Sequence, residues 1–371
     1  MNKKNIIILM IDGGRLDRTF QSNIFDKLKS NSASFSQSIT YGPHTIAAMH
    51  AVFSGTYGNR TGTNSYWSTF KFKKDKFKTL TEYLHDEEYY TFADIVNELV
   101  IPKQGFDEFL IHDELNDDLT LRHCNFLTDM KKMNSEKKNF FLYLQYSNIH
   151  TGIMNEVLRV YDNFSDEYFS NKEKNKQRYD KLFNNAENYL KIILEKINSL
   201  ELDKNSLVLI MSDHGISIGE KIGERAYGAF CYDYTLRTFT YFIYPEIHPV
   251  EVKQQVRTID FMPTILDYLD IPLSDKFEKI DGESLLPLIN GNLTEEKFAF
   301  SETGNPLKEK RPPENPNTKS IRSSKWKLIC NEYDDSKELY DLESDPSEEN
   351  NLIGKNLEIE KILWKEIKNY L

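Results

Sequence analysis

The sequence predicts an α/β protein: a large, mostly parallel sheet sandwiched by helices, followed by a small C-terminal strand-plus-helix subdomain. Two observations predict it. Short, continuous apolar runs recur along the chain with polar, helix-capable sequence between them, so strands alternate with helices. From about residue 292 onward the composition changes to a Pro-, Asn- and Lys-rich stretch followed by alternating apolar residues.

The first run, 5–11 (NIIILMI), is β-branched and unbroken, as a strand covered on both faces should be, and it passes straight into Asp12-Gly13-Gly14. Runs 89–95 (YYTFADI), 139–146 (NFFLYLQY) and 206–212 (SLVLIMS) repeat that appearance. The segment 155–200 is highly charged at mixed helical spacing and predicts a solvated helical face without chemistry. Residues 305–319 (NPLKEKRPPENPNTK) predict a linker loop, and SDPSEEN at 344–350 a turn-rich stretch. The expected division is a catalytic domain over 1–291 and a small subdomain over 292–371.

A chain of 371 residues can bury a full core, and 39% hydrophobic residues with 23 Phe and 21 Tyr argue against disorder. The net charge of -11 comes from interspersed charges, as in KFKKDKFK at 71–78, so no basic stripe is offered to nucleic acid. An anionic substrate then requires a locally cationic pocket, most simply a metal. Cys124, Cys231 and Cys330 are odd in number and form no CxxC pair, which fits a reducing compartment. The apolar run Ile6 to Ile11 is too short for a signal-peptide core. A cytoplasmic protein without membrane insertion is expected, and its oligomeric state is left open.

In a parallel sheet the functional groups gather at the carboxyl ends of strands. Asp12 follows the first run, Asn148 and His150 the third, and Asp213-His214-Gly215 the fourth. Asp12, Asp213 and His214 supply the mixed carboxylate and imidazole set that a divalent metal favours. Taken singly, an aspartate after a strand is more often a cap or turn residue. Thr45 opens a helix in GPHTIAAMHAVFSG, where it reads either as a plain N-cap or as a hydroxyl made easier to ionise by helix dipole and metal.

MIDGGRLDR at 10–18, TIAAMHAVFSGTYGNRTG at 45–62, LIMSDHGISIGE at 209–220, RTIDFMPTILDYLDIP with IDGESLLPLING at 257–291, and KWKLI with ELYDLESDPSEENNL at 325–352 form an ordered series. Together they resemble the sulfatase family of the alkaline phosphatase superfamily over nearly the whole chain. The resemblance implies one divalent metal, Mn²⁺ or Zn²⁺ with Ca²⁺ as the alternative, on Asp12, Asp213 and His214. It gives Thr45 the roles of nucleophile and metal ligand, His150 a substrate oxygen or the leaving group, and Asn64 the non-bridging oxygens.

Departures from the family pattern limit what carries over. Thr45 is followed by Ile46, Ala47, Ala48 and Met49 instead of the C/S-x-P-x-R pattern, and a threonine cannot become formylglycine. Gly13 replaces the second aspartate, and Tyr227-Gly228 stands where two-metal relatives have His-Gly. The lysine expected after SDHG has no counterpart, the nearest positions being Gly228 or Ala229, while Lys221 and Arg225 read as surface charges. His44 is expected to form a pocket wall, His50 to turn away, and Tyr66, Trp67 and Phe70 to wall a sugar or aryl group.

The expected function is metal-dependent hydrolysis of a phosphate, phosphonate or sulfate ester of a small molecule or glycan, with phosphorus ranked first because the nucleophile is threonine. The alternatives are phosphoryl transfer to a sugar or lipid headgroup, and ligand binding without catalysis.

Overall fold

A computed structural model describes residues 3–370 apart from 137, 161–165, 224–225, 293, 307–312 and 356. Nine strands form the main sheet: β1 (Asn5–Ile11), β2 (Ala33–Ile39), β3 (Tyr90–Ile95), β4 (Glu108–Ile111), β5 (Phe140–Tyr146), β6 (Ser206–Ser212), β7 (Arg237–Ile243), β8 (Val250–Val252) and β9 (Val256–Arg257). Their order is β4-β3-β5-β1-β6-β7-β2-β8, with β9 also on β2. From β4 to β6 every pairing is parallel, and β7 runs against both its neighbours. The four apolar runs become β3, β5, β1 and β6, side by side, so the residues that follow them lie along one edge.

Alternation along β1 shows how the sheet is held. Ile7, Leu9 and Ile11 enter one core layer, Ile6, Ile8 and Met10 the other, and all six are at most 1% exposed. Each such side chain contributes about 1.5–3 kcal/mol by leaving water. One layer is closed by the helices Leu119–Ser135 and Lys172–Ser199, the other by Thr45–Ser54, Leu80–Asp86 and Phe261–Tyr268.

The helix Lys172–Ser199 corrects the expectation of a merely solvated face. Tyr179, Phe183, Ala186, Leu190, Ile193 and Ile197 recur every three or four residues and are buried, giving an apolar stripe inside a highly charged segment. Its Tyr179 hydroxyl also accepts the Arg15 N–H and donates to the Gly13 carbonyl, both at 2.7 Å, and so pins the loop after β1.

Beyond the main sheet, β10 (Ala299–Thr303), β11 (Thr318–Arg322), β12 (Trp326–Asn331) and β13 (Ser336–Asp341) form an antiparallel meander. Leu363 and Ile367 of the helix Glu358–Ile367 share a core with Phe300, Ile321 and Leu328 of this sheet and with Ala47 and Ala51 of the helix Thr45–Ser54. No helix among the described residues is long and apolar enough to cross a membrane.

Candidate active site

Asp12 leaves the end of β1, and Asp213 with His214 leaves the end of the neighbouring β6. Thr45 arrives from the other side, at the start of its helix, where the side chain of His44 caps the helix by accepting the Ala47 N–H at 3.4 Å. Thr45 is therefore not the N-cap. It is the first helical residue, and its hydroxyl turns into the site. Thr45 Oγ1 lies 3.4 Å from both carboxylate oxygens of Asp12 and 3.4 Å from His214 Nε2.

The remaining groups orient this cluster. Gly13 N–H and His214 N–H donate to Asp213 Oδ1 at 3.1 and 2.9 Å, and the Gln145 amide donates to Asp12 Oδ2 at 2.7 Å. His214 Nδ1 sits 2.8 Å from the Gly215 carbonyl, which can only accept, so the proton is on Nδ1 and the Nε2 lone pair faces the cluster. Asp213 Oδ2 is buried without a hydrogen-bond partner. Burial, and then the charge of Asp213, push the Asp12 carboxyl well above the usual carboxylate range, against the opposing pull of His214, Gln145 and Thr45.

These residues fit a divalent cation. Four ligands about 2.1 Å from a common centre in a tetrahedron stand about 3.4 Å apart. Here His214 Nε2 is 3.7 Å from Asp12 Oδ1 and 3.5 Å from Asp213 Oδ2, and Thr45 Oγ1 stands at 3.4 Å from its neighbours. Two buried carboxylates, one oxygen without a partner and an imidazole lone pair aimed inward make a donor set that lacks positive charge.

Above the cluster opens a cavity of about 300 Å³, with Asp12 and Thr45 in its lining together with His150, Tyr227, Tyr66 and Glu114. His150 is in the first turn of the helix Asn148–Val160, with Nε2 2.6 Å from the Tyr227 hydroxyl and Nδ1 buried without a partner. Burial holds its imidazole below the ordinary histidine range, opposed by Asp213 and Glu114. Tyr227 also stacks on His214, ring centroids 5.3 Å apart. It thus covers one side of the Asp12, Asp213 and His214 group.

Asn64 is not among the residues lining the cavity. Its backbone N–H donates to Ser68 Oγ, and its side chain lies on Glu302. Of the three expected aromatic walls, Tyr66 lines the cavity and stacks on His44 at 4.2 Å, whereas Trp67 and Phe70 are exposed. His50 turns away to the Leu99 carbonyl. Lys221 bonds the Glu348 carbonyl, away from this cavity, and Arg225 lies outside the described residues.

The missing second aspartate has a local cause. Gly13 has φ +72°, and a Cβ there would meet Ile216 Cδ1 at 2.6 Å, so a side chain here is strained and must displace the end of Ile216. Sequence reasoning missed Gln145, although a buried polar residue inside an apolar strand was a usable signal. It also missed Glu114, which sits in a loop with no motif around it.

A second Asp/His group lies two strands away. Asp94 in β3 accepts from Arg122 Nη2 at 2.8 Å, and His123 Nε2 and His112 Nδ1 stand 3.0 and 3.2 Å from its Oδ2. These bonds hold the Asp94 carboxyl well below the usual carboxylate range.

Residues 4–271 match the family described as Sulfatase, and residues 227–371 match N-sulphoglucosamine sulphohydrolase, C-terminal. The chain is 27% identical to the choline-sulfatase of Rhizobium meliloti (strain 1021) over 166 residues, 43% of this chain and 29% of that one. It is 27% identical to arylsulfatase K of Bos taurus over 195 residues, 48% of this chain and 33% of that one. The chain therefore spans about a third of the length of the curated relatives that it matches. Among solved structures, BT4656 in complex with its substrate D-glucosamine-2-N,6-O-disulfate superposes with a TM-score of 0.73 at 18% identity, covering 99% of this chain and 97% of that one. BT1596, a 2-O GAG sulfatase, gives 0.72 at 19% identity, covering 99% and 91%. At these identities the likeness is one of fold, and it agrees with the parallel sheet and small antiparallel sheet described above. With the family match running through the segments that carry Asp12, Thr45, His150, Asp213 and His214, the chain belongs to the sulfatase family of the alkaline phosphatase superfamily.

Proposed function

We propose that this chain hydrolyses an ester of a tetrahedral oxoanion, with Thr45 as nucleophile and one divalent cation, Mn²⁺ or Zn²⁺, held by Asp12, Asp213, His214 and Thr45. The observation that carries the reading is the placement of Thr45 Oγ1 at 3.4 Å from Asp12 and from His214, on the floor of the cavity and at a helix N-terminus. When bound, the cation supplies the charge that polarises an ester oxygen and makes the threonine hydroxyl more acidic.

The chain's own residues do the rest. The amides of the first helical turn face an incoming anion. Thr45 Oγ1 gives up its proton and forms the new bond to sulfur or phosphorus as the bond to the leaving oxygen breaks, and the leaving oxygen takes up one proton and departs as the alcohol, so the proton count of the site is unchanged. His150 Nε2 is taken up by the Tyr227 hydroxyl, which leaves Nδ1 as the ring atom open to a substrate oxygen, donating in the tautomer that carries its proton there. Water then breaks the threonine ester and restores the hydroxyl. The substrate reading extends to an ester on a small molecule or glycan, supported by the sulfated sugar bound by BT4656.

Two supports bear on the transferred group. The relatives are named as sulfatases, which favours sulfate esters. The side chain at position 45 favours phosphorus, because threonine cannot form the aldehyde hydrate and its ester must be broken directly by water. We rank phosphate first and sulfate second. The test is turnover of 4-nitrophenyl phosphate, bis-4-nitrophenyl phosphate, phenylphosphonate and 4-nitrophenyl sulfate esters with Mn²⁺ or Zn²⁺. Phosphate turnover abolished by chelator and by Thr45→Ala is the expected result. Turnover that survives Thr45→Ala would remove the nucleophile, and a preference for sulfate would reverse the ranking. Metal binding without turnover would favour transfer to a separate acceptor or a non-catalytic relative.

A further inference from the structure

His150 stands between two residues that are each gripped from the same short segment after β4. On one side is Ser147, at the end of β5, whose hydroxyl lies 2.9 Å from His112 Nε2. On the other is Thr151, whose hydroxyl donates to Glu114 Oε2 at 2.7 Å. The Thr151 N–H also donates to the Ser147 carbonyl at 3.0 Å, which closes the first helical turn around His150.

The direction of the first grip follows from the chemistry of its members. Asp94 is held ionised by Arg122, so it only accepts, and His112 Nδ1 must carry its proton. Nε2 then accepts the Ser147 O–H. This Asp-His-Ser chain has the composition of a hydrolytic triad, but Ser147 is wholly buried and does not line the cavity, so no substrate reaches it. What remains for the chain to do is to hold. Glu114, by contrast, is exposed, lines the cavity together with His150 and takes the Thr151 hydroxyl.

We propose that residues 112–114 form a two-point clamp that positions His150 over the reacting oxygen, His112 acting through Ser147 and Glu114 through Thr151. The inference rests on the reading of His150 as the group that serves the leaving oxygen. The clamp residues are positioning residues and touch no reacting atom. Proton donation to a leaving group matters most where that group is poor, so loosening the clamp should discriminate between esters.

The test compares Ser147→Ala and Thr151→Val, both small changes, with the full chain loaded with Zn²⁺, on an alkyl ester and on the matching 4-nitrophenyl ester. Each variant should lower kcat for the alkyl ester by about 10-fold or more while changing the nitrophenyl ester by less than about 2-fold, with KM unmoved. Thr151→Ser, which keeps the hydroxyl, should restore the alkyl rate. Equal slowing of both esters, or slowing of neither, would overturn the clamp. An imidazole nitrogen NMR spectrum of the same Zn²⁺-loaded proteins gives a second readout. The His150 Nε2 resonance, set by its bond to Tyr227, should move in both variants, and an unchanged resonance in folded variants would also overturn the clamp. If the wild type turns over neither ester, the hydrolase reading is what fails, and the spectrum still decides the clamp.

Discussion

Two aspartate and histidine clusters lie on the same edge of the main sheet, one around Asp94 and one around Asp12 and Asp213, and their similar composition conceals different electrostatics. Around Asp94, one carboxylate faces one guanidinium and two imidazoles, with contacts of 2.8 to 3.2 Å that are ordinary hydrogen bonds. Around Asp12, two carboxylates face one imidazole and a hydroxyl, with separations of 3.4 to 3.7 Å and one carboxylate oxygen left over. The first is complete as it stands. The second has room and charge for a cation. What separates a structural cluster from a candidate metal centre is thus the spacing and the sum of charges, not which residue types are present.

The largest effect expected from this contrast is on activity. Thr45→Ala or Asp213→Asn should lower turnover by roughly 10⁴-fold or more in steady-state assays. Asp94→Asn should leave detectable activity wherever the protein stays folded, and abolition of turnover in a folded Asp94→Asn protein would erase the distinction.

Stability should change in opposite directions. Asp94→Asn leaves Arg122 only its longer contact with Asp117 and should cost about 3 kcal/mol in urea unfolding, the lower end for a broken buried pair because Arg122 is partly solvated. In chelator, Asp213→Asn removes one of two crowded carboxylates and should leave the metal-free protein as stable as wild type or more so. Added Zn²⁺ at about 100 times its Kd should stabilise wild type by about 2.7 kcal/mol and Asp94→Asn equally, but not Asp213→Asn.

The two clusters should also give opposite pH slopes. A carboxylate held low contributes stability that is present above the ordinary aspartate value of about 3.9 and is lost as pH falls through its lower folded value, so the Asp94 contribution disappears only in acid. A carboxyl held high costs stability as pH rises above that ordinary value, so chelated wild type should weaken between acid and neutral pH. Unfolding midpoints against pH, with and without Zn²⁺, would show whether metal removes the second slope and leaves the first. The smallest effect should come from Gly13→Ala, at about 1–3 kcal/mol, from its positive φ and its contact with Ile216.

How much of this was legible in the sequence depended on whether a residue's environment was local. β1, β3, β5 and β6 are apolar throughout, because parallel strands covered on both faces have no wet side. β2 (ASFSQSI) and β7 (RTFTYFI) are equally part of the sheet but alternate with Ser and Thr, so they lack the unbroken apolar run that marks the other four. The structure explains them: Thr238 and Thr240 donate to the carbonyl and hydroxyl of Ser38, so these polar side chains satisfy one another inside the sheet.

The site divides in the same way. Asp12, Asp213 and His214 follow their strands directly, so their place at the sheet edge is readable from the sequence. Asp94 was hidden inside a run read as a plain strand, and its partners His112 and His123 come from separate elements. Glu114 reaches the cavity only because the loop after β4 folds over the helix that carries His150. Asn64 was assigned from its position near Arg60, whereas its side chain lies on Glu302.

The helix that presents Thr45 has a further consequence for how the protein is made. Its outward residues Ala47 and Ala51 share a core with Phe300, Ile321, Leu328, Leu363 and Ile367, all synthesised long after Thr45 has left the ribosome. A nascent chain that has already produced β1, β5 and β6 still lacks the backing that seats Thr45, the proposed nucleophile. Reactivity should therefore appear late in biosynthesis, only after the segment through Ile367 has been made and has docked on this helix.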